Sequence, residues 1–188
     1  SADDSIHSNG DVAINGGDIQ IASGDDGIHA DGALTVVAGT IDITQSYEGL
    51  EGLTIDIAGG EIKLVSSDDG LNAAGGNDES GFGGFGGGRG GMADGFGADA
   101  DAYVLISGGR LIIDASGDGI DSNGGLTVSG GEVYVSGPNS GGDSALDYAS
   151  EAVITGGIVA AAGSSQMASN FGASSTQGSM LVTVEQQE

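Results

Sequence analysis

The chain has 188 residues, 28 acidic against 3 basic side chains, a formal net charge of −25, 40 glycines, one proline, and neither cysteine nor tryptophan. That balance excludes a nucleic-acid backbone as partner, because nothing here could neutralise phosphates, and it sets the chain against anionic membrane surfaces. Without cysteine there is no disulfide framework and no thiolate metal site, and no apolar run approaches the ~18 residues that cross a bilayer, so no membrane insertion is expected.

The opening SADDSIHSNG has neither the basic start nor the apolar core of a cleavable signal, so any targeting segment is expected outside this stretch. It carries the first of six related acidic turns: ADDSIHSNG, SGDDGIHADG, SYEGLEGL, SSDDGLNAAGG, SGDGIDSNGG and GGDSALDYAS. Their central aliphatics are Ile6, Ile28, Leu50, Leu71, Ile120 and Leu146, separated by 22, 22, 21, 49 and 26 residues. The step of 49 becomes ordinary once a glycine-rich insertion near residues 76–101 is set aside. A recurrence of this kind is an internal repeat.

Between turns the pattern has period two, which predicts strands. Ile19 and Ile21 flank Gln20; Ile41 and Ile43 flank Asp42; Ile62 and Leu64 flank Lys63; Leu111 and Ile113 flank Ile112; Val133 and Val135 flank Tyr134. A shorter run, such as Leu34-Thr35-Val36 or Leu126-Thr127-Val128, comes first, and a glycine turn (Gly16-Gly17, Gly39, Gly59-Gly60, Gly108-Gly109, Gly130-Gly131, Gly156-Gly157) separates the two. Helical periodicity is nowhere sustained. Three short strands and three bends per ~21 residues predict an all-β parallel β-helix of about six coils, stacked ~4.8 Å apart over a narrow aliphatic bore.

One such domain is expected over residues 1–188, with residues 164–188, including Met180-Leu181-Val182, capping its far end. The chain starts inside a repeat at Ala2-Asp3-Asp4, which suggests the C-terminal part of a longer domain with further coils before Ser1. An uncapped solenoid end exposes strand edges and invites head-to-tail self-association.

Stacking turns the acidic residues into columns. One reads Asp4, Asp26, Glu48, Asp69, Asp118, Ser144; three residues later another reads His7, His29, Glu51, Asn72, Asp121, Asp147. A third, just before the first, reads Asp3, Asp25, Tyr47, Asp68, Gly117, Asp143. These side chains are expected to face out or to sit at the bend. Like charges stacked this closely repel, and a cation between coils removes the problem. Calcium fits because it accepts six to eight oxygens in irregular geometry. The expected ion sites lie among Asp25, Asp26, Glu48 and Glu51, among Glu48, Glu51, Asp68, Asp69 and Asn72, and among Asp118, Asp121, Asp143 and Asp147. Zinc is the lesser alternative, since it prefers nitrogen and sulfur and only His7 and His29 are present, read as exposed turn residues. A regular threonine ladder is not expected: Thr35, Thr54 and Thr127 share a column, but Ala13 and Leu105 interrupt it.

The insertion GGNDESGFGGFGGGRGGMADGFGADAD cannot bury a core of its own. It reads as a flexible excursion or as a flap over a ligand, with Phe82, Phe85 and Arg89 as ligand-binding candidates beside Tyr47 of the third turn. It lacks the lysine and Ser/Thr of a phosphate loop.

The series DDGIHADG, SYEGLEGLTIDIAGGEIKLVSSDDGLNAAGG, SGDGIDSNGGLTVSGGEVYVSGP, SALDY and GSSQMAS resembles the secreted bacterial calcium-binding β-helix carbohydrate-binding domain family over nearly the whole chain. The resemblance implies a right-handed parallel β-helix, several calcium ions, a secreted or cell-surface location, and affinity for acidic plant polysaccharide of the polygalacturonate kind and for cellulose. The fold is also similar to that of calcium-dependent pectate lyases. A non-enzymatic binding module is therefore expected, with a calcium-stiffened structural or fibre-forming module as the alternative. A lyase would need a base from Lys63, Arg89 or Arg110, and the ordinary reading of Lys63 is an exposed strand lysine.

Overall fold

In chain order the strands are β1 (Ile6–Ser8), β2 (Val12–Ala22), β3 (Ile28–Gln45), β4 (Leu50–Ile57), β5 (Glu61–Ser66), β6 (Leu71–Ala73) and β7 (Tyr103–Ile106). They continue as β8 (Arg110–Ala115), β9 (Ile120–Ser122), β10 (Gly125–Val128), β11 (Glu132–Ser136), β12 (Ala152–Ile154) and β13 (Ile158–Ala162). The computed structural model describes residues 1–74, 99–138 and 142–185, and the described residues include no helix. Every strand pairing is parallel, and the strands sort into three ladders around a β-solenoid of about six coils.

The turn ladder runs β1, the start of β3, the start of β4, β6 and β9, and a last bridge joins Ile120 to Leu146. Its register stacks Ile6, Ile28, Leu50, Leu71, Ile120 and Leu146 one upon another, as the repeat predicts. The third ladder is equally regular. Ile19, Ile41, Ile62, Leu111 and Val133 form one inward column, and Ile21, Ile43, Leu64, Ile113 and Val135 the next. From Ile28 to Ile120 the aliphatic centres of the turn ladder are at most 1% exposed. Complete burial of each such side chain contributes ~1.5–3 kcal/mol. Because inward residues in adjacent coils touch, these contributions form one continuous core.

The second ladder corrects one detail. Thr35 pairs with Ala13 and Asp56, and Asp56 with Leu105, which in turn meets Thr127, so Asp56 stands where Thr54 was expected. Thr54 pairs instead with Ala33 and Tyr103. The cause is the irregularity between Ala30 and Ala33, where the third coil rounds its corner with one residue fewer than the second.

Two glycine columns make such tight stacking feasible. Gly39, Gly60, Gly109, Gly131 and Gly157 turn the chain into the third ladder with φ between 80° and 113°, a region that L side chains rarely adopt. At Gly27, which precedes a core aliphatic, an added Cβ would lie 2.6 Å from the Gly49 carbonyl and 2.7 Å from Ile43 Cδ1.

At the far end, residues 170–177 lie along β12. Gly172 N–H donates to the Ala152 carbonyl, and Thr176 and Gln177 N–H both donate to that of Ile154. Phe171 packs on the core, and Ser174 binds the Glu151 carboxylate. Met180, Leu181 and Val182 do not join this closure; they are exposed, as is Ile158 on β13. Most of the insertion, with Phe82, Phe85 and Arg89, lies outside the described residues.

Candidate metal centres

The acidic turns owe their geometry to a repeated hydrogen bond. Asp4 Oδ1 accepts the N–H of Asp26 at 3.1 Å, and Asp26 Oδ1 accepts that of Glu48 at 3.0 Å. Further along, Asp69 Oδ1 accepts the N–H of Asp118 at 2.6 Å, and Asp118 Oδ1 accepts that of Ser144. Aspartate suits this column because its short side chain reaches the backbone of the next coil with one oxygen and leaves the other free of that bond. Glu48, one methylene longer, departs from the pattern: its Oε1 accepts from Asn72 Nδ2 at 2.9 Å, and its Oε2 is buried without a hydrogen bond.

The columns do not stand in water as expected. Asp26 and His29 are fully buried, and Glu48, Glu51 and Asn72 are nearly so. At ladder spacing the side chains above and below cover one another, so each carboxylate is shielded by its like-charged neighbours. His29 is the sharpest correction to the sequence reading: it is no exposed turn residue, unlike His7, and its ring is walled by the carboxylates of Asp4, Asp26, Asp31 and Glu51.

Desolvation and crowding show in the acidities. Burial, reinforced by the charge of Asp26, raises Glu48 to about 8. Asp69 is pushed up to about 9 by burial and then by Asp68, Asp121, Glu48 and Asp118. Burial leads again at Asp121, raised to about 7, with Asp118 and Asp147 adding to it. Asp118 reaches only about 6, because the Ser144 N–H stabilises its charged form against burial. Burial likewise raises Asp26.

Four residue sets follow. Asp69, Asp118 and Asp121 bring carboxylate oxygens within 4.8 Å of one another across coils four and five. Asp4, His7 and His29 converge similarly, as do Asp26, His29 and Glu51, and these two sets share one imidazole. Asp3, Asp4 and Asp25 form a more exposed group beside them.

The expected groupings are thus partly redrawn. Asp26 and Glu51 do meet, through His29, and Glu48 meets Asn72. Asp69 joins Asp118 and Asp121 instead of Glu51, because the stacking brings coil five directly beneath coil four. Asp143 and Asp147 sit close enough to raise Asp118 electrostatically, and Asp68 is hydrogen-bonded to the Tyr47 hydroxyl, lifting that phenol well above its ordinary value. Tyr47 is half-buried, which limits the face it could offer a sugar. The expected calcium sites leave out Asp3, Asp4, His7 and His29, the two histidines entering only as the lesser, zinc alternative. Their signal is the spacing of three, Asp4/His7 and Asp26/His29, repeated as Glu48/Glu51, Asp69/Asn72 and Asp118/Asp121.

The Asp69 set offers only carboxylate oxygen, the kind of donor that hard cations accept, and could hold a metal ion. Of the three basic residues, Lys63 and Arg110 stand on the third ladder and Arg89 lies outside the described residues. Arg110 bridges Glu61 and Glu132 there, over the Tyr134 ring. Compared with protein-family models, curated proteins and solved structures, the chain gives no match.

Proposed function

We propose that this protein is an extracellular or cell-surface module that binds calcium through its stacked turn carboxylates and acidic polysaccharide through that calcium. The observation that carries the reading is the convergence of Asp69, Asp118 and Asp121 without a basic partner among the described residues. Calcium supplies there a positive charge with coordination positions left over for a ligand carboxylate. Asp69 and Asp118 keep one oxygen on the backbone of the next coil, so the stack fixes the spacing of the oxygens left over. A polyuronate, which also repeats its carboxylates at a regular interval, is the complementary partner; a net charge of −25 would otherwise repel it. The resemblance of the acidic turns to a calcium-dependent carbohydrate-binding family supports the same substrate class.

Electrophoresis in native gels cast with polygalacturonate tests this. Retardation is expected with calcium and not with chelator; equal mobility in the calcium gel with and without polysaccharide would remove the glycan from the reading. A second reading, end-to-end assembly, is favoured by the exposed Ile158, Met180, Leu181 and Val182 near the last coil. Concentration-dependent association in sedimentation, lost when Met180 and Val182 are made polar, would support it.

A further inference from the structure

The first two coils differ from the rest in one chemical respect: their turns place imidazole nitrogen among the carboxylate oxygens. We propose that His29, with Asp4, Asp26 and Glu51, forms a site for a divalent transition metal of the zinc class, separate from the oxygen-only calcium centre.

His29 has no solvent exposure, and neither ring nitrogen makes a hydrogen bond. Nδ1 faces three carboxylate oxygens, Glu51 Oε2 at 3.2 Å, Asp4 Oδ2 at 3.4 Å and Asp26 Oδ2 at 3.9 Å. Ligands held ~2.1 Å from one tetrahedral or octahedral metal are separated from each other by about 3.0–3.4 Å, so the two shorter separations already match edges of a coordination polyhedron. On the other side of the ring, Nε2 lies 3.4 Å from Asp31 Oδ1. Asn9 Nδ2 donates to the second Asp31 oxygen at 3.4 Å. A proton on Nε2, the side of the ring near Asp31, leaves the Nδ1 lone pair on the side of the three carboxylates, and a carboxylate beside the second nitrogen is the setting that favours one tautomer in a ligating imidazole.

In that tautomer Nδ1 offers a lone pair beside oxygens of Asp4 and of the hydrogen-bonded Asp26–Glu51 pair, and a metal would give these groups one common partner. His7 stands at the rim, its Nδ1 2.8 Å from the same Asp4 Oδ2 and its ring 4.8 Å from that of His29, placed to join the metal or to orient Asp4. Imidazole with carboxylates selects zinc and its neighbours over calcium, which favours oxygen alone. This inference concerns other residues than the Asp69 centre and survives or fails without it.

The chain has only two histidines, so both rings can be followed in the unmodified protein by long-range proton–nitrogen NMR. Zinc added to tag-free protein in excess calcium is expected to move the His29 Nδ1 resonance to a metal-bound position at about one equivalent. Equilibrium dialysis should then show His29→Gln losing tenfold or more in zinc affinity while calcium uptake is retained, with His7→Ala affected less. Should the His29 nitrogens stay unmoved by zinc, or hold two protons as an imidazolium paired with its carboxylates, the metal site is overturned. The NMR result stands even if His29→Gln fails to fold.

Discussion

Coils one to three and coils three to five are built on the same column of turn carboxylates, yet three residues further on they diverge, with His7, His29 and Glu51 in one region and Asn72 and Asp121 in the other. In the first region an imidazole divides the carboxylates, and both nitrogens of His29 lie beside acids. In the second, acids face acids, and Asp69 and Asp121 are raised to about 9 and about 7. The backbone is indifferent to the change, since both regions keep the same ladders. What a solenoid column does chemically is therefore set by side chains that leave the coil geometry alone.

The largest expected effect is on pH dependence without metal. Glu48, Asp69, Asp118 and Asp121 have folded values above the ordinary carboxylate range, so the metal-free fold holds more protons than the unfolded chain. Their contribution to stability is fully present below about pH 4 and is lost as pH climbs through about 6 to about 9. The melting temperature in chelator should fall steadily across that window, and saturating calcium should flatten the slope, because a cation binds the ionised form. A chelated protein most stable at pH 9 would contradict the sign.

Next comes Asp69→Asn, which keeps the shape and the acceptor for Asp118 N–H but removes the charge. It should lose most of the calcium-dependent rise in melting temperature, and in chelator at pH 8 should be no less stable than the parent. A calcium response equal to the parent's would place the ion elsewhere. The backbone half of the comparison can be broken with Gly27→Ala and Gly70→Ala, one in each region. The new Cβ would lie 2.6 Å from the Gly49 carbonyl in one and 2.5 Å from that of Gly119 in the other. Urea titrations should show similar losses of ~1–3 kcal/mol for both, as overpacking costs. Widely unequal losses would mean that the two regions do not stack alike. The smallest effect belongs to Arg110→Ala: its ion pairs with Glu61 and Glu132 are solvent-exposed, and removal should cost under ~1 kcal/mol in the same titration.

The fold was legible because period and alternation are properties of sequence. The register of Ile6 through Leu146 and the inward columns of the third ladder follow directly from the spacing of aliphatics. Thr54 was misplaced because a corner that rounds in one residue fewer, at Ala30–Ala33, leaves no mark in composition. In the site, the columns could be read but their burial could not. An acid or a histidine at a turn is ordinarily solvated, and only stacking at ladder spacing covers Asp26 and His29. Asp69 and Asp118 are neighbours in the column read from the sequence, but column order alone does not show which oxygens converge, and so their grouping with Asp121 was not legible.

The claim at the centre of this account is that cations between the coils hold the crowded carboxylates together. Thermal melting of one preparation at pH 8, with calcium and then with chelator, tests it most directly. The account predicts a transition many degrees higher with calcium, rising further with its concentration as for any ligand of the folded state. Superimposable melts in calcium and in chelator would contradict it.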